Sequence, residues 1–513
     1  MALGDGKSSE PENSLRSRLL LQQQAFLAEG PPSAAVRRHR IDRLVALLFE
    51  NADALAQAML ADYGSRSPVA SVMTEIVGIG STIEYTRNNL ERWMRPRRAL
   101  PGYRLFGVRA EVEPSPKGVV GIIGPWNFPV NLVALPAAEA FAAGNRVMIK
   151  MSEVTSHTAE VFADLAARYF DPSELDVVVG PIEVGAQFAA LPFDHLFFTG
   201  SPSVGRLIQR AASEHLVPVT LELGGKNPVV MGQNADIDRY AGRIANARLV
   251  NGGQVCLCPD YVFVPTERVE EFCQAASAAI RRMLPSVVNS PDFTSSVNDA
   301  NYERVLGLLE DAREKGAHII SIAPPGETLP DRATRKIAPA LVTNVDGSMR
   351  IASDEIFGPL LVVMGYRELD EVITYINERP SPLAIYWYGD DNDDFRHLVK
   401  RTRSGGVSRN DFALHMAFPQ TPFGGVGKSG MGAYHGKAGF DAFSHHRPVV
   451  GSALPFSFTG LAAPPYSRSK TAMAKFSVWS TRRKARRRLA RFQQSQSPTR
   501  DGLITVPMRQ RGR

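Results

Sequence analysis

Four short runs carry residue types that could do chemistry. Asn251-Gly-Gly-Gln-Val-Cys256 sets a cysteine after a glycine-rich approach, where backbone can pack closely around a ligand. A thiolate there would be a nucleophile, given a neighbouring base or a lowered pKa; a buried structural cysteine is the other reading. In Thr220-Leu-Glu222-Leu-Gly-Gly-Lys-Asn-Pro228 a strand-like run stops at two glycines, leaving Glu222 at a strand terminus. Partial burial would make that carboxylate a general base, and a surface turn would leave it inert. Gly124-Pro-Trp126-Asn127-Phe-Pro129 follows the apolar run Val119–Ile123. The Asn127 amide suits an oxyanion, although asparagine between two prolines is also a common turn residue. Phe198-Thr-Gly200-Ser201-Pro-Ser-Val-Gly205 passes from a strand through a Gly-x4-Gly turn into a helical pattern. That order suits a pyrophosphate at a helix N-terminus, yet the run is neither Gly-x-Gly-x-x-Gly nor a P-loop.

The elements that must position these residues are legible in the apolar periodicity. Val36, Ile41, Leu44, Leu47, Leu48, Leu55 and Met59 recur at three- and four-residue steps, predicting helix from Ala34 to Tyr63, broken at Gly64. Beyond Pro116, short β-branched runs (Val119–Ile123, Val147–Ile149, Val177–Val179, Leu196–Phe198) alternate with helical segments such as Thr155–Tyr169 and Val204–Ser213. Strand alternating with helix predicts βαβ units and parallel sheet. A second region of the same texture runs from about Val219 to Val407 and includes Tyr261–Val264, Ile319–Ile322 and Leu360–Met364. Two such regions predict two α/β domains facing each other across a ligand-binding cleft.

At 513 residues the chain exceeds what one hydrophobic core supports. Its net charge of +7 is unevenly spread. Residues 467–513 hold 14 Lys and Arg against the single acid Asp501, a net +13, which leaves −6 on residues 1–466. A nucleic-acid role for the whole chain loses its support; only the Arg-rich tail retains it. The three cysteines, Cys256, Cys258 and Cys273, form no disulfide framework and suit a reducing compartment. With no signal-peptide pattern and no long apolar span, a cytoplasmic location is expected. No metal ligand set is expected.

Taken together and in order, GPWNFP, IKMSE, FTGSPSVG, LELGGKNP, GQVC and EIFGP resemble the aldehyde dehydrogenase superfamily over roughly residues 34–450. Gln254-Val-Cys-Leu-Cys-Pro-Asp-Tyr261, Pro422-Phe-Gly-Gly-Val-Gly-Lys-Ser-Gly-Met-Gly-Ala-Tyr-His-Gly436 and Phe443-Ser-His-His-Arg-Pro448 are most similar to its class 3 and coniferyl-aldehyde dehydrogenase branch. The resemblance implies an α/β fold with a Rossmann-type cofactor domain (16–221), a catalytic domain (222–410) and a return segment with an oligomerisation strand (411–450). It also implies a small β-hairpin near 103–115 that joins a partner's sheet, and hence a homodimer. Residues 1–15 and the basic tail 451–513 are expected to be disordered.

By that resemblance Cys256 is the nucleophile, Asn127 the oxyanion donor and Glu222 the base that hydrolyses a thioester. A base at Glu222 favours free acid over transfer to coenzyme A. NAD is the expected cofactor, with NADP also accepted. Lys150 and Glu153 would meet the adenine ribose; Gly200, Ser201 and Gly205 the pyrophosphate; Glu355 and Phe357 the nicotinamide ribose and ring; Trp126 is a further cofactor-binding position. The aldehyde would be aromatic, cinnamyl-type, or a medium or long aliphatic chain. Met151 stands where the family usually has proline, implying a looser strand end, and Pro202 removes one N–H from the Gly-x4-Gly turn. Cys258 either fills alanine-like space or traps an oxidised Cys256 as a disulfide. A catalytically inactive binding protein on the same fold should have lost Cys256, Glu222 or Asn127, and all three are present. The basic tail leaves room for accessory contact with anionic lipid or nucleic acid.

Overall fold

The computed structural model of the chain describes residues 12–100, 102, 107–457 and 459–496. Strands β1 (Arg97–Arg98), β2 (Val108–Pro116) and β16 (Ser444–Ser452) form a three-stranded sheet in the order β1-β2-β16. A six-stranded sheet contains β3 (Val119–Ile123), β4 (Arg146–Lys150), β5 (Leu175–Val178), β6 (His195–Gly200), β7 (Val219–Leu223) and β15 (Gly430–Met431), in the order β15-β7-β6-β3-β4-β5. A seven-stranded sheet contains β8 (Asn227–Met231), β9 (Pro259–Pro265), β10 (His318–Ser321), β11 (Ala340–Thr343), β12 (Leu360–Tyr366), β13 (Ala384–Tyr388) and β14 (Gly406–Arg409). Its order is β10-β11-β12-β9-β8-β13-β14. Both large sheets are parallel except at one edge, where β15 runs against β7 and β10 against β11.

The central strands are unbrokenly apolar because helices cover both faces of each sheet; every residue of β3, β8 and β9 is buried. Helix Asn131–Ala143 is buried nearly all round, which is why its sequence lacks a polar face. The predicted helix Ala34–Tyr63 is two helices, Ala34–Glu50 and Ala52–Tyr63, bent by 63°. Asn51 breaks it: its side-chain amide donates back to the Leu47 carbonyl at 2.9 Å.

Two compact units result: Met1–Arg97 with Val112–Pro448, and Arg98–Glu111 with Val449–Arg513. The first unit holds both the six- and the seven-stranded sheet. The chain explains this, because after the seven-stranded sheet it returns to add β15 to the first.

Both termini depart from the expected disorder where they are described. A helix spans Glu12–Glu29, and Leu15 and Leu19 are buried against Val119, Met148 and Val178. Gln22 donates to the Val147 and Pro172 carbonyls, tying that helix to the sheet. Residues 1–11 lie outside the described residues, as do 103–106 of the expected hairpin. In the tail, Arg468–Gln496 is a 29-residue helix. It contains no Gly or Pro and is rich in Arg, Ala and Gln, strong helix formers that a charge run does not overrule.

Candidate active site

In the six-stranded sheet the chain steps outward from β3 to β4 and β5, then restarts on the other side with β6. Loops leaving the ends of β3 and β6 therefore diverge, opening the crevice where parallel sheets bind ligands. A cavity of about 300 Å³ lies there. Trp126 and Asn127 line it from the loop after β3, Gly200 and Ser201 from the end of β6, and Glu222 from β7. Cys256, Glu355 and Phe357 line it from loops of the seven-stranded sheet. Lys150, Glu153 and Gly205 are not in that lining.

Asn127 is held at both ends. Its side-chain amide donates to the Gln254 carbonyl at 3.1 Å. Its own carbonyl accepts from Arg66 at 3.1 Å and from the Asn251 amide at 3.1 Å. Arg66 is paired with the fully buried Glu75 at 2.6 Å, and Glu75 in turn accepts from the Val130 and Asn131 N–H groups. Tyr63 donates to the Trp126 carbonyl at 3.0 Å.

The loop carrying Cys256 is bent by left-handed residues: Asn251 (φ 50°), Gly252 (φ 64°) and Gly253 (φ 81°). A Cβ at Gly253 would collide with the Gly358 carbonyl, and one at Gly252 would lie 2.6 Å from the Thr294 carbonyl, so both positions demand glycine. Gln254 bridges this bend to the Ser295 carbonyl and the Val297 N–H. Asn227 donates to the Cys256 and Cys258 carbonyls at 2.7 and 3.1 Å while accepting from the Ala384 N–H. Part of Cys256 stays open to the cavity, yet its dense surroundings push the thiol pKa up, with Glu355, Glu222 and Cys258 adding to the effect. The Cys256 backbone N–H favours the thiolate.

Glu222 is 3% exposed, and neither carboxylate oxygen has a hydrogen-bond partner. Burial raises its pKa well above the ordinary 4.5. A buried carboxyl without partners is costly to keep and marks a site awaiting water or a reactant.

Glu355 and Phe357 sit on a pinned loop. Arg304 donates to the Glu355, Ile356 and Phe357 carbonyls at 2.9–3.2 Å. Arg248 reaches the Gly358 carbonyl and Asp260, and Asp260 accepts from the Ile356 N–H. Phe357 is left-handed (φ 46°) and meets Trp126 edge-on at 5.3 Å. Glu355 packs where a Gly224 Cβ would be, and burial with Asp260 nearby pushes its pKa up to about 8.

The donor set fits a dinucleotide. Ser201 caps helix Pro202–Ser213, accepting from the Val204 N–H, so the positive helix end opens at the cavity wall. Pro202 occupies the first helical position, where no N–H is needed within the helix. A Cβ at Gly205 would press on the Leu223 side chain and one at Gly200 on the Phe198 ring, so either would have to move. Lys150, 1% exposed, ends β4 and donates to the Met151 carbonyl, with Glu153 3.9 Å away. Met151 does not loosen that strand end: it is buried, and its N–H bonds the Val178 carbonyl at 3.1 Å. Cys258 is buried and reduced, its thiol donating to the Ala247 carbonyl at 3.2 Å.

Sequence reasoning missed Arg66, Glu75, Asn227, Arg248, Asp260 and Arg304. A signal existed for one of them. Asp260 is the one charged residue in the otherwise apolar, fully buried strand Pro259–Pro265. A charge there needs partners or a task.

The sequence profile of the aldehyde dehydrogenase family matches residues 23–449. A probable coniferyl aldehyde dehydrogenase from Caulobacter vibrioides is 45% identical over 448 residues, spanning 86% of this chain and 92% of that protein. A coniferyl aldehyde dehydrogenase from a Pseudomonas species is 45% identical over 436 residues, 85% of this chain and 90% of that one. Among solved structures, the substrate-bound state of Staphylococcus aureus AldH superposes with a TM-score of 0.82 at 33% identity, covering 90% of this chain and 98% of that one.

Proposed function

Because the chain belongs to the aldehyde dehydrogenase family, which oxidises aldehydes with NAD(P), we propose that Cys256, Glu222 and Asn127 perform that oxidation here through a thioester, on cinnamyl-type aromatic aldehydes. The observation that carries this reading is the shared cavity of a thiol, an unpartnered carboxyl and a donor amide, each from a different loop or strand.

Cys256 Sγ bonds to the aldehyde carbon as its proton leaves to solvent water, and the carbonyl oxygen becomes the oxyanion. One N–H of the Asn127 amide is spent on Gln254; the other and the Cys256 backbone N–H hold the oxyanion. NAD(P)+, when bound, supplies the hydride acceptor. Loss of hydride from the carbinol carbon leaves an acyl group on sulfur. Glu222 then takes a proton from water, the hydroxide adds to the thioester carbonyl, and the C–S bond breaks to release the acid and restore Cys256. Burial makes Glu222 a stronger base than a surface glutamate.

The aromatic preference is supported by the 45%-identical relatives and by the ring-rich lining of Trp126, Phe357, Phe423 and Tyr434. NAD over NADP is supported by Glu153 beside Lys150, because a carboxylate disfavours a 2′-phosphate. A homodimer is supported by β16, an edge strand with eight of nine residues exposed, which offers its free side to a second copy. NADH formation on coniferyl aldehyde, benzaldehyde, hexanal and decanal tests the reading. The aromatic substrates should give the highest kcat/KM, and Cys256→Ala should abolish turnover of all four; equal turnover by that variant would refute it.

A further inference from the structure

We infer that helix Arg468–Gln496 is a membrane-surface element that binds anionic lipid. Over 29 residues it carries ten Lys and Arg and no acid. Such a density of one sign demands an anionic partner, and the apolar residues decide which kind. Met473, Phe476 and Trp479 recur at three-residue steps and so share one side of the first half of the helix; they are 45, 64 and 54% exposed. Val478, Ala485 and Leu489, spaced seven and four, share one side of the second half, with Val478 68% and Leu489 64% exposed. Arginines flank this second strip: Arg482, Arg483, Arg486, Arg487, Arg488 and Arg491.

A polyanion in water would be met by cations alone and would leave these apolar side chains in solvent. A bilayer interface takes the bases at the headgroups and the Met473, Phe476 and Trp479 strip at the acyl boundary, while the Val478 and Leu489 strip, about 160° round the helix, faces the other way. The pair Phe476–Trp479, with ring centroids 5.8 Å apart, and Arg483 stacked 5.4 Å over Trp479 give an amphipathic patch of the kind found at that depth. Among the described residues no single helix is long and apolar enough to cross a membrane, so the contact is peripheral. It would hold the enzyme at the surface where apolar aldehydes partition.

Co-sedimentation of the full chain with vesicles of phosphatidylcholine alone, or with 30% phosphatidylserine, tests this directly. The full chain should partition at least tenfold more to the anionic vesicles and be released at about 1 M salt, where the Debye length is about 3 Å. Arg486, Arg487, Arg488 and Arg491 all changed to Gln should lower that partition about 1,000-fold, with NADH production in solution unchanged because none of the four lines the active-site cavity. Trp479 emission, read as the difference between the full chain and Trp479→Phe, should shift to the blue on binding. Equal binding to neutral vesicles, undiminished binding by the four-Gln variant, or an unshifted Trp479 would overturn the inference. So would tighter binding to a single-stranded oligonucleotide than to the anionic vesicles, which would make nucleic acid the partner.

Discussion

The side-chain amide of Asn127 donates to the Gln254 carbonyl at 3.1 Å, two residues before Cys256. That bond ties the loop after β3 to the bend that presents the thiol, so the proposed oxyanion donor and the proposed nucleophile are held together. Asn127→Ala should lower kcat by roughly 10²–10³ with a much smaller change in substrate KM. Arg66→Met, which frees the Asn127 carbonyl and strands buried Glu75, should also destabilise the fold by roughly 3–5 kcal/mol. Urea titration separates the two effects, because Asn127→Ala should leave the midpoint nearly unmoved.

Activity and stability should run in opposite directions with pH. Glu222 and Glu355 both have folded-state pKa values raised by burial, Glu355 to about 8. The folded chain therefore holds their protons more tightly than the unfolded chain. Their contribution to stability is greatest below the ordinary 4.5 and is lost as pH rises toward the folded values. Over the same range kcat should rise as Glu222 ionises. Glu222→Gln should flatten the stability profile and raise stability at pH 8 by about 1–3 kcal/mol, read by urea titration at pH 5 and pH 8.

Cofactor preference should depend on Glu153. Glu153→Gln removes the negative charge beside Lys150 and should raise kcat/KM for NADP about tenfold while changing that for NAD little. Steady-state kinetics with both cofactors reads the ratio.

Much of this site was legible in the chain before any coordinates. Six motif blocks in a fixed order marked Cys256, Glu222 and Asn127, and the uniformly apolar runs at 119–123 and 196–198 marked buried parallel strands. What escaped is what depends on long-range contact. Arg66 lies 61 residues from the Asn127 carbonyl it holds, and Arg248 lies 110 from Gly358; neither pairing leaves a local pattern. The bend at Asn51 turns on a bond from one side chain to its own helix, which apolar periodicity ignores. The tail misled because charge runs usually signal disorder, whereas this one is built from helix-forming residues.

The thioester on Cys256 can be weighed directly. Glu222→Gln, mixed with NAD and coniferyl aldehyde and quenched in acid, should release up to one NADH per chain in a burst. It should also gain the mass of a single acyl group, which peptide mapping places on Cys256. Steady turnover by that variant at the parent rate, or an unmodified Cys256 after NADH has formed, would contradict the mechanism.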